Sequence, residues 1–352
     1  MSDIMETIEI NNFMIKKNSR PFIVGEVGIN HNGDLTKAFE MIEVAKQSGL
    51  NAIKFQTFKA QEFCGDPSQT YTYKSQGKEV TESMLEMFSR YEFSKNEWKQ
   101  IKQKCVSEGI TFLSTPQNFS DLKLLLELGI DAIKVGSDDF TNIPLLKKYS
   151  STNLPLIVSS GMSTLEEVND ALDAIGYFSG YPVILLVTTS QYPTPNEDVN
   201  LLKFHTLSKK FPNLLLGFSD HTIGNIAATV ACGMGSVFFE KHFTLDCDLD
   251  GPDHWFSANP QQLKSWRNSI ISSFEMLGTP EIKPTKNEII NKNEFRRYIV
   301  AKKSIMLGEL FSNENIELKR ISGGNGLSGK FFEILLKTKS NRNYKKGEKI
   351  QI

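Results

Sequence analysis

Eight short runs rich in Val, Ile and Phe, each closing on polar residues, lie between Phe22 and Phe243 of the 352-residue chain, with room for a helix after each. They are Phe22 to Ile29, Ala52 to Phe58, Thr111 to Thr115, Ala132 to Ser137, Pro155 to Ser160, Val183 to Ser190, Leu214 to His221 and Val237 to Phe243. Apolar runs of this length without alternation read as strands buried on both faces, the condition of a parallel sheet. Between the first two, Ala38, Met41, Ile42 and Ala45 repeat at helical spacing, and Gly49 supplies the C-terminal stop. Similar helical stretches run over Ser94 to Glu108, Ser120 to Leu128, Thr164 to Ile175 and Asn225 to Met234. Strand and helix therefore alternate eight times, which predicts a (β/α)8 TIM barrel.

The barrel is expected to fill residues 1–277. The connection from Lys59 to Phe93 exceeds the usual loop length, carries Tyr71 and Tyr73, and is expected over the barrel mouth. Gly278 to Asn293 holds two prolines and little periodicity, so it is read as a linker. Residues 294–352 alternate short β-type runs with Gly turns and predict a small β-rich domain, marginal in stability by itself.

Composition narrows the function classes. The hydrophobic fraction of 39% and charged fraction of 23% are those of a globular protein with a sizeable core. Net charge is -1, with the 40 basic residues scattered, so no broad field exists for nucleic acid or an anionic membrane, and any anion is bound locally. The acidic N-terminus lacks the pattern of a signal peptide, and no apolar run is long enough to span a bilayer. Cys64, Cys105, Cys232 and Cys247 show no CxxC or metal-type spacing, as expected of reduced thiols in a cytoplasmic protein.

A TIM barrel places its chemistry at the C-terminal ends of the strands, which selects the candidates. A lone lysine there usually reaches solvent, but Lys54 shares a face with Gln56 at period two, and Lys134 stands close to Ser137. With Thr115, Ser159, Ser190 and Ser219 at other strand ends, they describe an anion pocket containing few acids. His221 and His242 end adjacent strands and can converge on one metal ion with positions left open, or serve as hydrogen-bonded rim residues. Asp139 is expected to face them as an acid partner or to bind a metal water. Glu26 is a carboxylate inside a strand, flanked by Gly25 and Gly28; it is either used in chemistry or paired with Lys54. His31, in Asn30-His31-Asn32-Gly33, is read as part of the strand-to-helix turn.

In this order the segments GEVGINHNG, IKFQTF, FLSTP, IKVGSDD, IVSSGMS, SQYPTP, GFSDHT, FEKHFTLD and GPDH resemble the N-acetylneuraminate (sialic acid) synthases and their legionaminic and pseudaminic acid relatives. The likeness continues into a tail that resembles the antifreeze-like (SAF) domain of that family. It implies condensation of phosphoenolpyruvate with N-acetylmannosamine or a related amino sugar to a nonulosonic acid, with a 2,4-diacetamido-6-deoxyhexose as the alternative acceptor. It further implies Glu26 and Asp139 as catalytic groups, and Lys54, Thr115, Lys134, Ser137, Ser159, Ser190 and Ser219 on phosphoenolpyruvate. Gln56, Tyr192 and Asp253 would contact the sugar. His221 and His242 would hold a divalent ion, Mn2+ first, with Mg2+ or Co2+ as alternatives. Arg320 would reach the sugar pocket of a partner subunit in a domain-swapped homodimer.

The chain departs from the sialic acid synthase pattern at Gln117, Asp139, Val187, Thr188, Ser190 and Ile321, changes that bear on the acceptor sugar more than on the reaction class. Two readings compete: a Schiff-base aldolase using Lys54 or Lys134, and a non-catalytic sugar- or phosphate-binding protein.

Overall fold

The computed structural model describes residues 7–351. Two compact units divide the chain, one ending at Gly278 and the other beginning at Thr279. In the first, the strands are β1 (Phe22–Gly28), β2 (Ala52–Thr57), β3 (Thr111–Pro116), β4 (Ile133–Val135), β5 (Leu156–Ser159), β6 (Val183–Val187), β7 (Leu215–Asp220) and β8 (Phe238–His242). All coincide with the eight segments expected from the sequence to within three residues at either end, and β3 alone runs past its segment, by one residue. They form one parallel sheet in the order β3-β2-β1-β8-β7-β6-β5-β4, in which the first strand pairs with the last, and β3 and β4 lie side by side to close a (β/α)8 TIM barrel.

Helices follow the strands: α1 (Leu35–Gln47), α2 (Lys95–Glu108), α3 (Phe119–Glu127), α4 (Ile143–Ser150), α5 (Leu165–Ile175), α6 (Lys203–Lys210), α7 (Ile226–Gly233) and α8 (Pro260–Leu277). Their starts are written locally. Ser94 with Glu97, Thr164 with Glu167 and Asn259 with Gln262 form capping boxes that satisfy the first free N–H groups of α2, α5 and α8. Residues facing outward from the strands, such as Phe55, Phe112, Leu185 and Phe239, pack with the helices into the main core.

The inward face carries a second apolar cluster at the bottom of the barrel, with Val24, Ala52, Leu113, Ala132, Ile157 and Phe238 among its members. A hairpin of Thr7–Ile10 and Phe13–Lys16, turned through Asn11 and Asn12 in left-handed conformations, closes that end. Its Ile8, Ile10 and Ile15 are buried in the same cluster.

The Lys59–Phe93 connection forms a second hairpin, Thr70–Ser75 with Lys78–Ser83, between two short helices, Ala60–Phe63 and Met84–Ser89. Ser75 Oγ donates to Asp250 Oδ1 at 2.6 Å, and Lys74 Nζ lies 4.9 Å from the Trp255 ring centre, so the hairpin is tied to the loop after β8.

In the second unit, Arg297–Ala301 pairs antiparallel with Ile316–Arg320 over a core that includes Ile299, Ile305, Phe311, Ile316, Leu335, Tyr344 and Ile350. The stretch expected as linker is not structureless: Lys286–Phe295 is a helix, started by a Thr285–Glu288 capping box. Its ten residues are exposed, so no apolar stripe announced it; cap and propensity form it without one.

Ile10→Ala removes a buried branched side chain from the bottom plug, and we expect a loss of about 2–5 kcal/mol. Urea unfolding followed by tryptophan fluorescence reports it, because Trp98, Trp255 and Trp266 all belong to the first unit. A loss below about 1 kcal/mol would show that the plug contributes little.

Candidate active site

Two residues beyond Val24, Ala52, Leu113, Ala132, Ile157 and Phe238, on the same inward faces, come Glu26, Lys54, Thr115, Lys134, Ser159 and Glu240. The barrel interior thus changes from apolar to polar within one step of the strand period. Above this layer opens a cavity of about 800 Å³. All the strand-end candidates named from the sequence line it except Asp139, and so do Gln56, Tyr192 and Asp253.

The anion pocket is not a cluster of free cations, as expected from the sequence. Lys54 Nζ lies 2.7 Å from Glu26 Oε2 and 3.8 Å from Glu240 Oε1, and it donates to Thr115 Oγ1 at 3.2 Å. Lys134 Nζ donates to Ser159 Oγ at 2.7 Å and to the Val135 carbonyl at 3.1 Å, with Glu240 Oε1 3.7 Å away. Four buried groups of opposite sign therefore balance one another. Glu240 stands between both lysines. Its place two residues before His242 puts it among the strand-end residues on the same face, but sequence spacing does not reveal its approach to both lysines. Glu26 has the Lys54 partner that its place inside the strand allowed. It also accepts from Gln56 Nε2 at 3.3 Å.

The two acids are held apart in their protonation. Burial raises Glu26 to about 7, against the pull of Lys54 and with the charge of Glu240 adding to the rise. Burial acts against ionisation of Glu240 too, but Lys134 and Lys54 outweigh it and hold this carboxyl below its usual range. Lys54 is raised because Glu240 and Glu26 overcome its desolvation, whereas desolvation lowers Lys134.

On the β4–β6 side, Ser137 Oγ accepts from the Gly161 N–H at 3.1 Å. A Cβ on Gly161 would lie 2.3 Å from Ser190 Oγ and 2.7 Å from Ser137 Oγ, so the two hydroxyls approach across a bare backbone. Ser190 Oγ is buried without a partner. Asp139 is turned away from the cavity: its carboxylate accepts from Asn142 Nδ2 at 2.9 Å, beside the start of α4. The acid that lines the cavity from this loop is Asp138. The expectation that Asp139 faces the histidines is thus corrected: its carboxylate is engaged by Asn142, the N-cap residue of α4, and its neighbour takes the place at the cavity.

His221 Nδ1–H donates to the Thr189 carbonyl at 2.7 Å, which leaves Nε2 with its lone pair, 3.4 Å from Ser219 Oγ. His242 presents a buried Nδ1 without a partner. The ring centres lie 5.7 Å apart, and burial lowers His221 to about 4 and His242 well below its normal value, so both imidazoles are neutral. No group of three or more His, Cys, Asp or Glu side chains suited to a metal occurs among the described residues. Two neutral nitrogens beside an open cavity nonetheless fit a divalent ion that takes its other ligands from water or a bound oxygen donor. His31, by contrast, is structural: it is buried, its Nδ1 accepts from the Gly33 N–H at 3.0 Å, and it packs on Phe93.

On the other side of the cavity, Tyr192 lies over His221 at 4.2 Å and near Phe256 at 5.2 Å between ring centres. Burial raises Asp253 to about 7. Gly28, with φ +56°, leaves room beside His242, Asp253 and Glu26, which a side chain would take. Phe58, just past β2, and Phe63, Met87 and Phe88 from the Lys59–Phe93 connection, with Trp255, add an apolar wall to the cavity. Arg320 belongs to the second unit, where it is the register partner of Arg297.

The chain is 38% identical to the N,N'-diacetyllegionaminic acid synthase of Legionella pneumophila over 307 residues, 86% of each protein. It is 36% identical to that of Campylobacter jejuni, covering 94% of this chain and 99% of the other. Among solved structures, the N-acetylneuraminic acid synthetase of Leptospira borgpetersenii serovar Hardjo-bovis, in complex with citrate, superposes with a TM-score of 0.72 at 30% identity. It covers 82% of this chain and 97% of its own. The sequence profile of the NeuB family matches residues 41–282, a range that takes in Lys54, Lys134 and Glu240 of the charged layer and begins after the strand that carries Glu26, and the chain belongs to that family.

Proposed function

We propose that the chain is a nonulosonic acid synthase that condenses phosphoenolpyruvate with an open-chain N-acetylated amino sugar. C3 of phosphoenolpyruvate forms the new bond to the aldehyde carbon, the hydroxyl of a water ends on C2, and phosphate leaves with the bridging oxygen. The observation that carries this reading is the buried layer of Lys54 and Lys134 balanced by Glu26 and Glu240, directly under the neutral pair His221 and His242.

Lys54 and Lys134 neutralise the anionic substrate, and the hydroxyls of Thr115, Ser137, Ser159, Ser190 and Ser219 orient it, with Ser190 Oγ a donor that is unspent in the free protein. Glu26, poised near neutrality, takes the proton from the water that adds at C2. Glu240 keeps its charge and holds the two ammonium groups in place. His221 and His242 would hold a divalent ion, with Mn2+ the first choice. Such an ion supplies charge stabilisation at the aldehyde oxygen when bound. Gln56, Tyr192 and Asp253 meet the sugar. The apolar wall suits an acceptor with a methyl group at C6 and two acetamido groups, and the two relatives above are named for a diacetylated product, N,N'-diacetyllegionaminic acid, so a 2,4-diacetamido-6-deoxyhexose is proposed ahead of N-acetylmannosamine. The second unit is proposed as an antifreeze-like domain whose Arg320 completes the acceptor pocket of a partner in a swapped homodimer. The reaction is proposed to run in the cytoplasm.

Phosphate release with phosphoenolpyruvate, Mn2+ and a panel of N-acetylated sugars, with the product weighed by mass spectrometry, tests the reading. We expect stoichiometric phosphate and nonulosonate, faster with the diacetamido sugar, and loss of both in EDTA. No phosphate with any sugar would refute the synthase, and a borohydride-trapped adduct formed in EDTA would favour the Schiff-base alternative. Glu26→Gln is expected to lower kcat by about 100-fold or more while phosphoenolpyruvate affinity stays within about threefold. Near-normal turnover would remove Glu26 from the chemistry. Arg320→Ala is expected to raise the acceptor KM by about tenfold or more without changing phosphoenolpyruvate binding. A wild-type monomer in sedimentation would count against the swapped dimer.

A further inference from the structure

Asp220 and Lys241 each precede a cavity histidine by one residue, so the strand period turns them to the opposite face of the sheet. There they are register partners on β7 and β8, both buried, with Lys241 Nζ 3.1 Å from Asp220 Oδ2. Neither lines the main cavity. Asp220 Oδ1 accepts from the Thr222 N–H at 2.9 Å and from its hydroxyl at 2.7 Å, and Oδ2 accepts from Trp266 Nε1–H of α8 at 2.8 Å. Lys241 Nζ donates to the Thr222 carbonyl at 2.5 Å. From the other side, the His221 carbonyl accepts from the Thr194 N–H at 2.8 Å. The peptide joining His221 to Thr222 is thus held at both its carbonyl and its N–H, and the next peptide at its carbonyl.

We propose that the buried Asp220–Lys241 pair, anchored by Trp266, is a positioning device that fixes the backbone of His221 and its spacing from His242 for metal binding, a role that rests on the metal reading given above. The pair acts through the strands and touches no substrate. It joins β7 to β8 at the level where the histidines converge, and ties both to α8. Stability alone is a poor reason to bury such a pair, since an apolar replacement commonly serves as well. What an apolar pair cannot supply is the carboxylate that accepts from the peptide beyond His221 while a cation holds the following carbonyl.

The test uses metal-free full-length protein with Asp220→Asn, and with Lys241→Met, which keeps the apolar stem without charge and serves where Asp220→Asn fails to fold. Mn2+ binding is followed by electron paramagnetic resonance, phosphoenolpyruvate binding by calorimetry, and the imidazole tautomers of the five histidines by 15N resonance. We expect the Mn2+ Kd to rise by about tenfold or more. Phosphoenolpyruvate affinity is expected to stay within about twofold, since the lysine layer lies on the other face of the sheet. His221 is expected to lose its uniform Nδ1–H form. An unchanged Mn2+ Kd in both variants, whatever the change in Tm, overturns the proposal. Wild-type protein that binds no Mn2+ refutes the metal reading instead. The tautomer spectrum then decides the positioning role: a shift of His221 in the variants sustains it, and an unchanged spectrum overturns it.

Discussion

Four buried ionisable groups share the upper layer of the barrel, and much of the surrounding structure serves to keep them satisfied. Desolvating each ion costs several kcal/mol, while a pair near 4 Å returns about 4 kcal/mol at an effective dielectric of about 20, so none of the four is tolerable by itself. Glu240 stands within reach of both Lys54 and Lys134 because β8 and β4 face each other across a closed barrel, and Glu26 meets Lys54 because β1 and β2 are neighbours in register. The apolar floor beneath, sealed by the N-terminal hairpin, keeps water out from below. An anion entering this layer meets charges already aligned, with little reorganisation left to do.

The strand period explains how much of this was readable from sequence. Runs such as VILLV and LLLGF are apolar on both faces, a pattern that a parallel sheet covered on both sides can bury, so all eight strands are legible and their number points to the barrel. The N-terminal hairpin, with Ile8, Ile10 and Ile15 about an Asn-Asn turn, is less legible, because two four-residue strands carry too short an alternation to stand out. The helix at Lys286–Phe295 was missed for a physical reason: it buries nothing, so hydrophobic periodicity is blind to it.

Within the site, sequence position told which residues face the cavity but not which of them bond to one another. Lys54 and Lys134 were identified correctly as inward lysines, yet their neutralisation by Glu240 depends on distances across the barrel that no local pattern encodes. Asp138 and Asp139 are chemically identical neighbours, and their division between cavity and helix start follows from the place of Asn142 one turn later. The Lys59–Phe93 connection lies over the mouth as its length and its tyrosines led one to expect, but which of its apolar side chains wall the chamber depends on how its hairpin and two short helices fold back.

That wall is carried on an excursion between β2 and α2, outside the repeating strand-and-helix plan, and it reaches back to the loop after β8 through Ser75 and Asp250. Substitutions along the hairpin can therefore reshape one side of the chamber without shifting the register of a single barrel strand or the level of the charged layer. The charged layer and the apolar wall thus stand on separate parts of the first unit, and the outline of the chamber can vary while the ions beneath it keep their places.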